Sequence, residues 1–191
     1  MTRAELEHLI RAAAEITREQ EHVIIGAAAL LGAHPNPPDD LRRTMEADMY
    51  PRRRPDLADE LEVIGELSQF HQRFHVYVHP VGPETALLPD GWEERLVRVQ
   101  NANTNQAVGY CLEPHDLAAS KLAAGREKDK EFVSALLEHR LIDSATLLQR
   151  VERLPVTPDH RLQLSSWISR SLQTGLKRDL SKEGDGYERE R

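Results

Sequence analysis

Two carboxylates, Glu46 and Asp48, stand one residue apart in the segment Thr44-Met45-Glu46-Ala47-Asp48-Met49-Tyr50-Pro51. In an extended strand, side chains two residues apart point to the same face, so these two would project side by side. Met45, Ala47 and Met49 would then face the opposite way, into a core. Like charges held that close repel each other, and folding alone gives no reason to place them together. A divalent cation between them does, because hard oxygen ligands suit magnesium, which in turn carries substrate phosphates. A solvated strand edge bearing two ordinary acids is the alternative.

A second feature precedes the acids. The run His22-Val23-Ile24-Ile25 reads as a buried strand that stops at Gly26, and Ala27-Ala28-Ala29-Leu30-Leu31 reads as the start of a helix. A strand that turns through glycine into a helix amino terminus is a place where backbone amides can meet a phosphate. A close-packed turn with no ligand would have the same sequence. Basic groups follow in two places. Arg52-Arg53-Arg54 could hold a polyphosphate or an RNA backbone, or balance nearby acids. Lys121, Arg126 and Lys128 form a patch only if their helix bends near Gly125, and Asp129 is spaced to pair with Lys121 or Arg126.

The elements that must position these groups alternate between the two periodicities. Leu6, Leu9, Ile10, Ala13 and Ile16 have helical spacing within residues 4–20. Three prolines between Gly32 and Asp40 make a loop before the acidic strand. Leu57, Leu61, Ile64, Leu67 and Phe70 fit one face of a helix from Pro55 to about Phe74. His75 to His79 alternates like a strand, so His71, His75 and His79 would share no simple surface for zinc. Glu94–Gln100 and Ala107–Glu113 alternate across an Asn-rich linker and predict an antiparallel hairpin. Pro114 ends it, and a helix runs from about Asp116 to Ala124. After further helical turns to Leu137, two more helices are predicted over Asp143–Arg153 and from Asp159 to about Leu176.

The chain has 191 residues, 30% of them charged and 39% apolar, as expected of a soluble globular protein. A formal net charge of −7 argues against a general nucleic-acid-binding surface. The single cysteine, Cys111, excludes an internal disulfide and a cysteine-only zinc site, and its strand-like setting predicts a buried, inert thiol. The amino-terminal residues lack the basic and apolar regions of a signal peptide, and no apolar run has membrane-spanning length. The expected location is cytoplasmic.

Taken in order, strand, Gly26 turn, helix, acidic strand and a later Lys–Arg–Asp helix resemble the nucleotidyltransferase superfamily that shares the DNA polymerase β palm. The similarity is greatest to its small bacterial branch related to abortive-infection toxins of the AbiE type. It rests on Ile24-Ile25-Gly26-Ala27-Ala28-Ala29-Leu30, on Glu46-Ala47-Asp48, and on Asp116-Leu117-x-x-x-Lys121 with Arg126 and Asp129, within residues 20–140. The resemblance implies an α/β (α+β) fold, a mixed sheet flanked by helices. The implied division is a nucleotidyltransferase-like domain over 1–140, a helical extension over 141–176 and a charged, disordered tail over 177–191. It implies Glu46 and Asp48 as catalytic metal ligands, with Glu113 as the third carboxylate and Glu94 and Asp116 behind it. Gly26, Ala27 and Ala28 would be the phosphate turn, Lys121 the phosphate-neutralising base, and Arg126 and Asp129 its neighbours at the substrate. The implied cofactor is Mg2+, and the implied reaction is transfer of a nucleotide from a nucleoside triphosphate to RNA or protein. The implied setting is a toxin–antitoxin or phage-defence pair, with a cognate partner protein and no membrane.

The sequence departs from the family pattern at two places. Ala27 and Ala28 stand where a second glycine and a serine or threonine are usual, and Glu46 stands where aspartate is usual. A catalytically degenerate member that binds a nucleotide or a protein is therefore the second hypothesis. A hydrolase would be the third, requiring at least three of His34, His71, His75, His79 and His115 to converge on one metal.

Overall fold

Five strands form one mixed sheet in a computed structural model of the chain, which describes residues 1–171. At its centre, β1 (Glu21–Ile25) pairs antiparallel with β2 (Glu46–Pro51) and parallel with β5 (Val108–Cys111). Outside β2 lies β3 (Tyr77–Pro80), parallel to it, and outside β5 lies β4 (Val97–Val99), antiparallel. The order β3-β2-β1-β5-β4, with helices around it, is the α/β fold predicted from the sequence.

The first helix, α1 (Arg3–Thr17), starts at a capping box in which Thr2 and Glu5 satisfy each other's backbone N–H groups. Its buried stripe of Leu6, Leu9, Ile10 and Ala13 covers one face of the sheet. The approach is close: a Cβ at Gly109 of β5 would lie 2.5 Å from Ile10 Cδ1 and 2.9 Å from Ile24 Cδ1. Ala47 and Met49 are fully buried, as expected. Met45 is 55% exposed because β2 begins one residue later.

After β1, Ala27–Ala29 form a single 3₁₀ turn that continues into the short α2 (Leu30–Ala33). The helix predicted from Pro55 to Phe74 is two pieces. Pro55–Ile64 is 3₁₀, and Ala58, Leu61 and Ile64 are buried at a spacing of three, which stacks them on one face of a three-residue turn. Gly65 ends this segment, Leu67 has φ of 63°, and Ser68 caps the separate α3 (Gln69–Phe74). Leu67 therefore points into solvent, although the helical pattern assigned it to the core. The β4–β5 hairpin is present, but its first strand is shorter than predicted because Trp92–Arg95 form a 3₁₀ turn.

Four helices follow the sheet: α4 (Pro114–Ala124), α5 (Glu127–Glu138), α6 (Ser144–Glu152) and α7 (158–171). Ile142, Leu147, Val151, Leu154, Leu164 and Ile168 join the same hydrophobic cluster as α1 and the sheet. Asp116, fully buried on α4, locks this region. Arg95 donates to it from Nε at 2.8 Å, and Arg150 of α6 makes an ion pair at 3.0 Å whose direction does not form a hydrogen bond. The tail predicted over 177–191, and the end of the preceding helix, lie outside the described residues. No described helix is long and apolar enough to cross a membrane.

Candidate functional site

Strand pairing decides what surrounds the two acids. β2 and β3 run parallel with Glu46 opposite Tyr77 and Asp48 opposite His79, so all four side chains share one face of the sheet. His79 Nδ1 lies 2.8 Å from Asp48 Oδ1, and the Tyr77 hydroxyl donates to Glu46 Oε2 at 3.2 Å. Burial pushes the Asp48 carboxyl above its usual range. The Glu46 charge adds to that, while His79 and Lys121 oppose it. Burial also raises the Tyr77 phenol, to about 12, so it stays a proton donor to Glu46.

On the other side of β2, Asp48 is in register with Ile25, the last residue of β1. Gly26 follows with φ of 68°, a conformation that side chains resist. A Cβ there would collide with Asp48 Oδ2, so the glycine turn is pressed directly against the carboxylate. Ala27 and Ala28 open the 3₁₀ turn beyond it.

The third group arrives from the helices. Gly125, in the left-handed region at φ of 73°, ends α4, and α5 starts after Arg126. This break folds Asp129 back onto the basic residues. Lys121 Nζ donates to Asp129 Oδ1 at 3.0 Å and Arg126 Nε to Asp129 Oδ2 at 2.6 Å. Burial works against the Asp129 charge, but these hydrogen bonds outweigh it and hold the carboxyl below its usual range. Lys121 also sits over the Phe132 ring, 4.8 Å from its centre. Its charge reaches Asp48, and Arg126 in turn feels Asp48 and Glu46. Acids, glycine turn and basic pair are thus gathered at one end of β1 and β2.

Residues 4–164 match the family described as nucleotidyltransferase of unknown function (DUF6036). The chain belongs to that nucleotidyltransferase family. No curated protein and no solved structure matches it significantly.

Nucleotidyltransferases typically use a metal, and the donor set on this face suits one. Asp48 and His79 are in contact and Glu46 shares their face, so the donors are of the right chemistry and a cation would relieve the like charges, although the three do not converge on one point. The predicted third carboxylate does not join them. Glu113 caps α4, accepting from the backbone N–H groups of His115 and Asp116, and lies 2.6 Å from His115 Nδ1. Asp116 is held by Arg95 and Arg150, and Glu94 is exposed in the 3₁₀ turn. Among the described residues no preformed group of three His, Cys, Asp or Glu side chains could hold a metal. His115 bridges Glu113 and Asp143, and His71 accepts from the Leu67 N–H, so these histidines have other partners.

The arginine cluster is balanced by acids. Arg52 and Arg53 face Glu21, and Arg54 pairs with Asp56. Sequence reasoning weighed His79 only with the other histidines and not beside the acids, and it did not single out Tyr77. Their signal was present, because they repeat the two-residue spacing of Glu46 and Asp48 on a second alternating segment.

Proposed function

We propose that this nucleotidyltransferase transfers a nucleotide from a nucleoside triphosphate to an RNA or protein acceptor, with Mg2+ held at Glu46 and Asp48. The observation that carries the reading is the Gly26 turn seated against the Asp48 carboxylate, with the charges of Lys121 and Arg126 reaching the same group. The glycine lets the backbone come close enough for the Ala27 and Ala28 amides to meet triphosphate oxygens beside the acids. Lys121 and Arg126, held by Asp129, neutralise the phosphate charge that gathers there. The bound ion supplies charge stabilisation at the phosphoryl oxygens. The similarity to AbiE-type toxins makes a toxin–antitoxin or phage-defence pair the setting in which to seek the acceptor and a partner protein. A second reading, a degenerate module that binds a nucleotide or protein, is favoured by the turn's missing hydroxyl and by the engagement of Glu113 elsewhere.

Thermal shift with each nucleoside triphosphate, with and without Mg2+, separates the two. A ligand that binds only the folded state raises apparent stability by mass action, by about 2.7 kcal/mol at a hundred times its dissociation constant. The expected result is a Mg2+-dependent shift in wild type that vanishes in the Glu46→Gln/Asp48→Asn double variant. No shift with any triphosphate would refute the catalytic reading.

A further inference from the structure

We propose that His79 is a metal donor beside Asp48, and that this gives the site a preference for Mn2+ over Mg2+. The inference deepens the nucleotidyltransferase reading and rests on it. The parallel register of β2 and β3 puts the imidazole on the face of the acids, and its Nδ1 is 2.8 Å from Asp48 Oδ1. Donors at about 2.1 Å from an octahedral ion lie about 3 Å apart when they occupy neighbouring positions. The His79–Asp48 pair is within that range, and an ion would replace the hydrogen bond once the imidazole turns off the Nδ1–Oδ1 line and carries its proton on Nε2 instead.

The two partners also differ in freedom. The His79 side chain is 56% exposed and that of Asp48 only 21%, so the imidazole can turn while the carboxylate stays fixed. Tyr77 engages only one oxygen of Glu46, while Glu113 is committed to α4. The nitrogen would thus add to the Glu46 and Asp48 carboxylates as a protein donor, and water and triphosphate oxygens fill the positions that remain. A carboxylate-only set suits Mg2+ and Mn2+ alike, so the added imidazole nitrogen, which a transition-metal ion accepts more readily than Mg2+, is what would separate the two.

The test uses the full chain with MnCl2 or MgCl2 alone. Calorimetric titration gives the two affinities, and electron spin echo spectroscopy of bound Mn2+ reports a directly coordinated nitrogen. Wild type should bind Mn2+ about tenfold or more tighter than Mg2+ and show nitrogen modulation. His79→Ala should lose the modulation and most of the preference while still binding Mg2+, and His79→Gln serves as a second variant of similar volume. If His79 only orients Asp48, both metals would weaken equally in His79→Ala; that result would overturn the proposal. Mn2+ binding without nitrogen modulation in wild type, or modulation unchanged in His79→Ala, would overturn it too and leave the parent reading standing. If neither metal binds alone, the proposal fails; the parent reading fails with it only if no triphosphate gives a Mg2+-dependent thermal shift in wild type.

Discussion

Asp116 and Asp48 are both carboxylates turned away from bulk water, yet their partners differ in kind. Asp116 is fully buried between two guanidinium groups, Arg95 from before β4 and Arg150 from α6. Asp48 has a half-exposed imidazole on one side, a glycine turn on another and a second carboxylate two residues away. The first charge is answered by permanent cations that join separate elements. The second is left under-compensated at the end of two strands, where a cation and a phosphate could complete it. A fold that needs a charge for its own stability surrounds it as it does Asp116. The Asp48 arrangement leaves a place that, under the proposed function, a cation would complete.

Asp116→Ala carries the largest expected effect on folding. It leaves two arginines in a largely buried setting without their anion, and breaking a buried pair in this way costs about 3–5 kcal/mol. Urea unfolding followed by circular dichroism would measure it. A loss of less than about 1 kcal/mol would break the contrast, because Asp116 would then be no more structural than a surface acid.

His22 extends the comparison to the opposite face of β1, where a titratable group is buried with only a neutral partner. Its Nε2 lies 3.1 Å from Thr17 Oγ1, and Nδ1 has no hydrogen-bond partner among the described residues. Burial pushes its pKa down to about 4, against about 6.5 in an unfolded chain. The unfolded state thus binds more protons between these values. The stability present above pH 6.5 should be lost progressively as pH falls through about 4, up to about 3 kcal/mol from this group. Denaturant midpoints between pH 7 and pH 4 would show the decline, and His22→Gln should flatten it. An unchanged slope in that variant would assign the acid sensitivity to other groups.

These cases also show what the sequence made legible. Glu46, Asp48 and Gly26 could be read because their meaning is local: a period of two fixes a shared face, and a glycine after a β-branched run marks a turn. The Lys121–Asp129 pairing could be anticipated because it spans only a helix break at Gly125. For His79 only the two-residue alternation was legible; its place beside Asp48 was not, because the strand register that brings it there spans an intervening 3₁₀ segment and helix. Arg150 reaches Asp116 from a helix packed later in the chain, so its clamp was equally hidden. The Pro55–Phe74 region failed for another reason. Leu57, Leu61, Ile64, Leu67 and Phe70 satisfy a 3.6-residue repeat, whereas Ala58, Leu61 and Ile64 satisfy a repeat of three, and packing selected the second.

The smallest expected effect on folding belongs to Asp48→Asn, and the comparison depends on it most. Asparagine keeps the size of aspartate and keeps an oxygen that can accept from His79 Nδ1 if the amide is turned that way. It removes the charge that burial and Glu46 both disfavour. The folded state therefore gains relief from repulsion and loses only the charge-assisted part of one half-exposed hydrogen bond, so the net change should stay within about 1 kcal/mol. Metal and triphosphate binding should nevertheless be lost, because the amide is a weaker ligand and cannot neutralise a cation. Parallel melting curves with and without MnCl2 and triphosphate test both halves on one sample. A cost near that of Asp116→Ala would mean that Asp48 is a structural carboxylate. Retained metal-dependent stabilisation would mean that the ion sits elsewhere, and the distinction between the two aspartates would disappear.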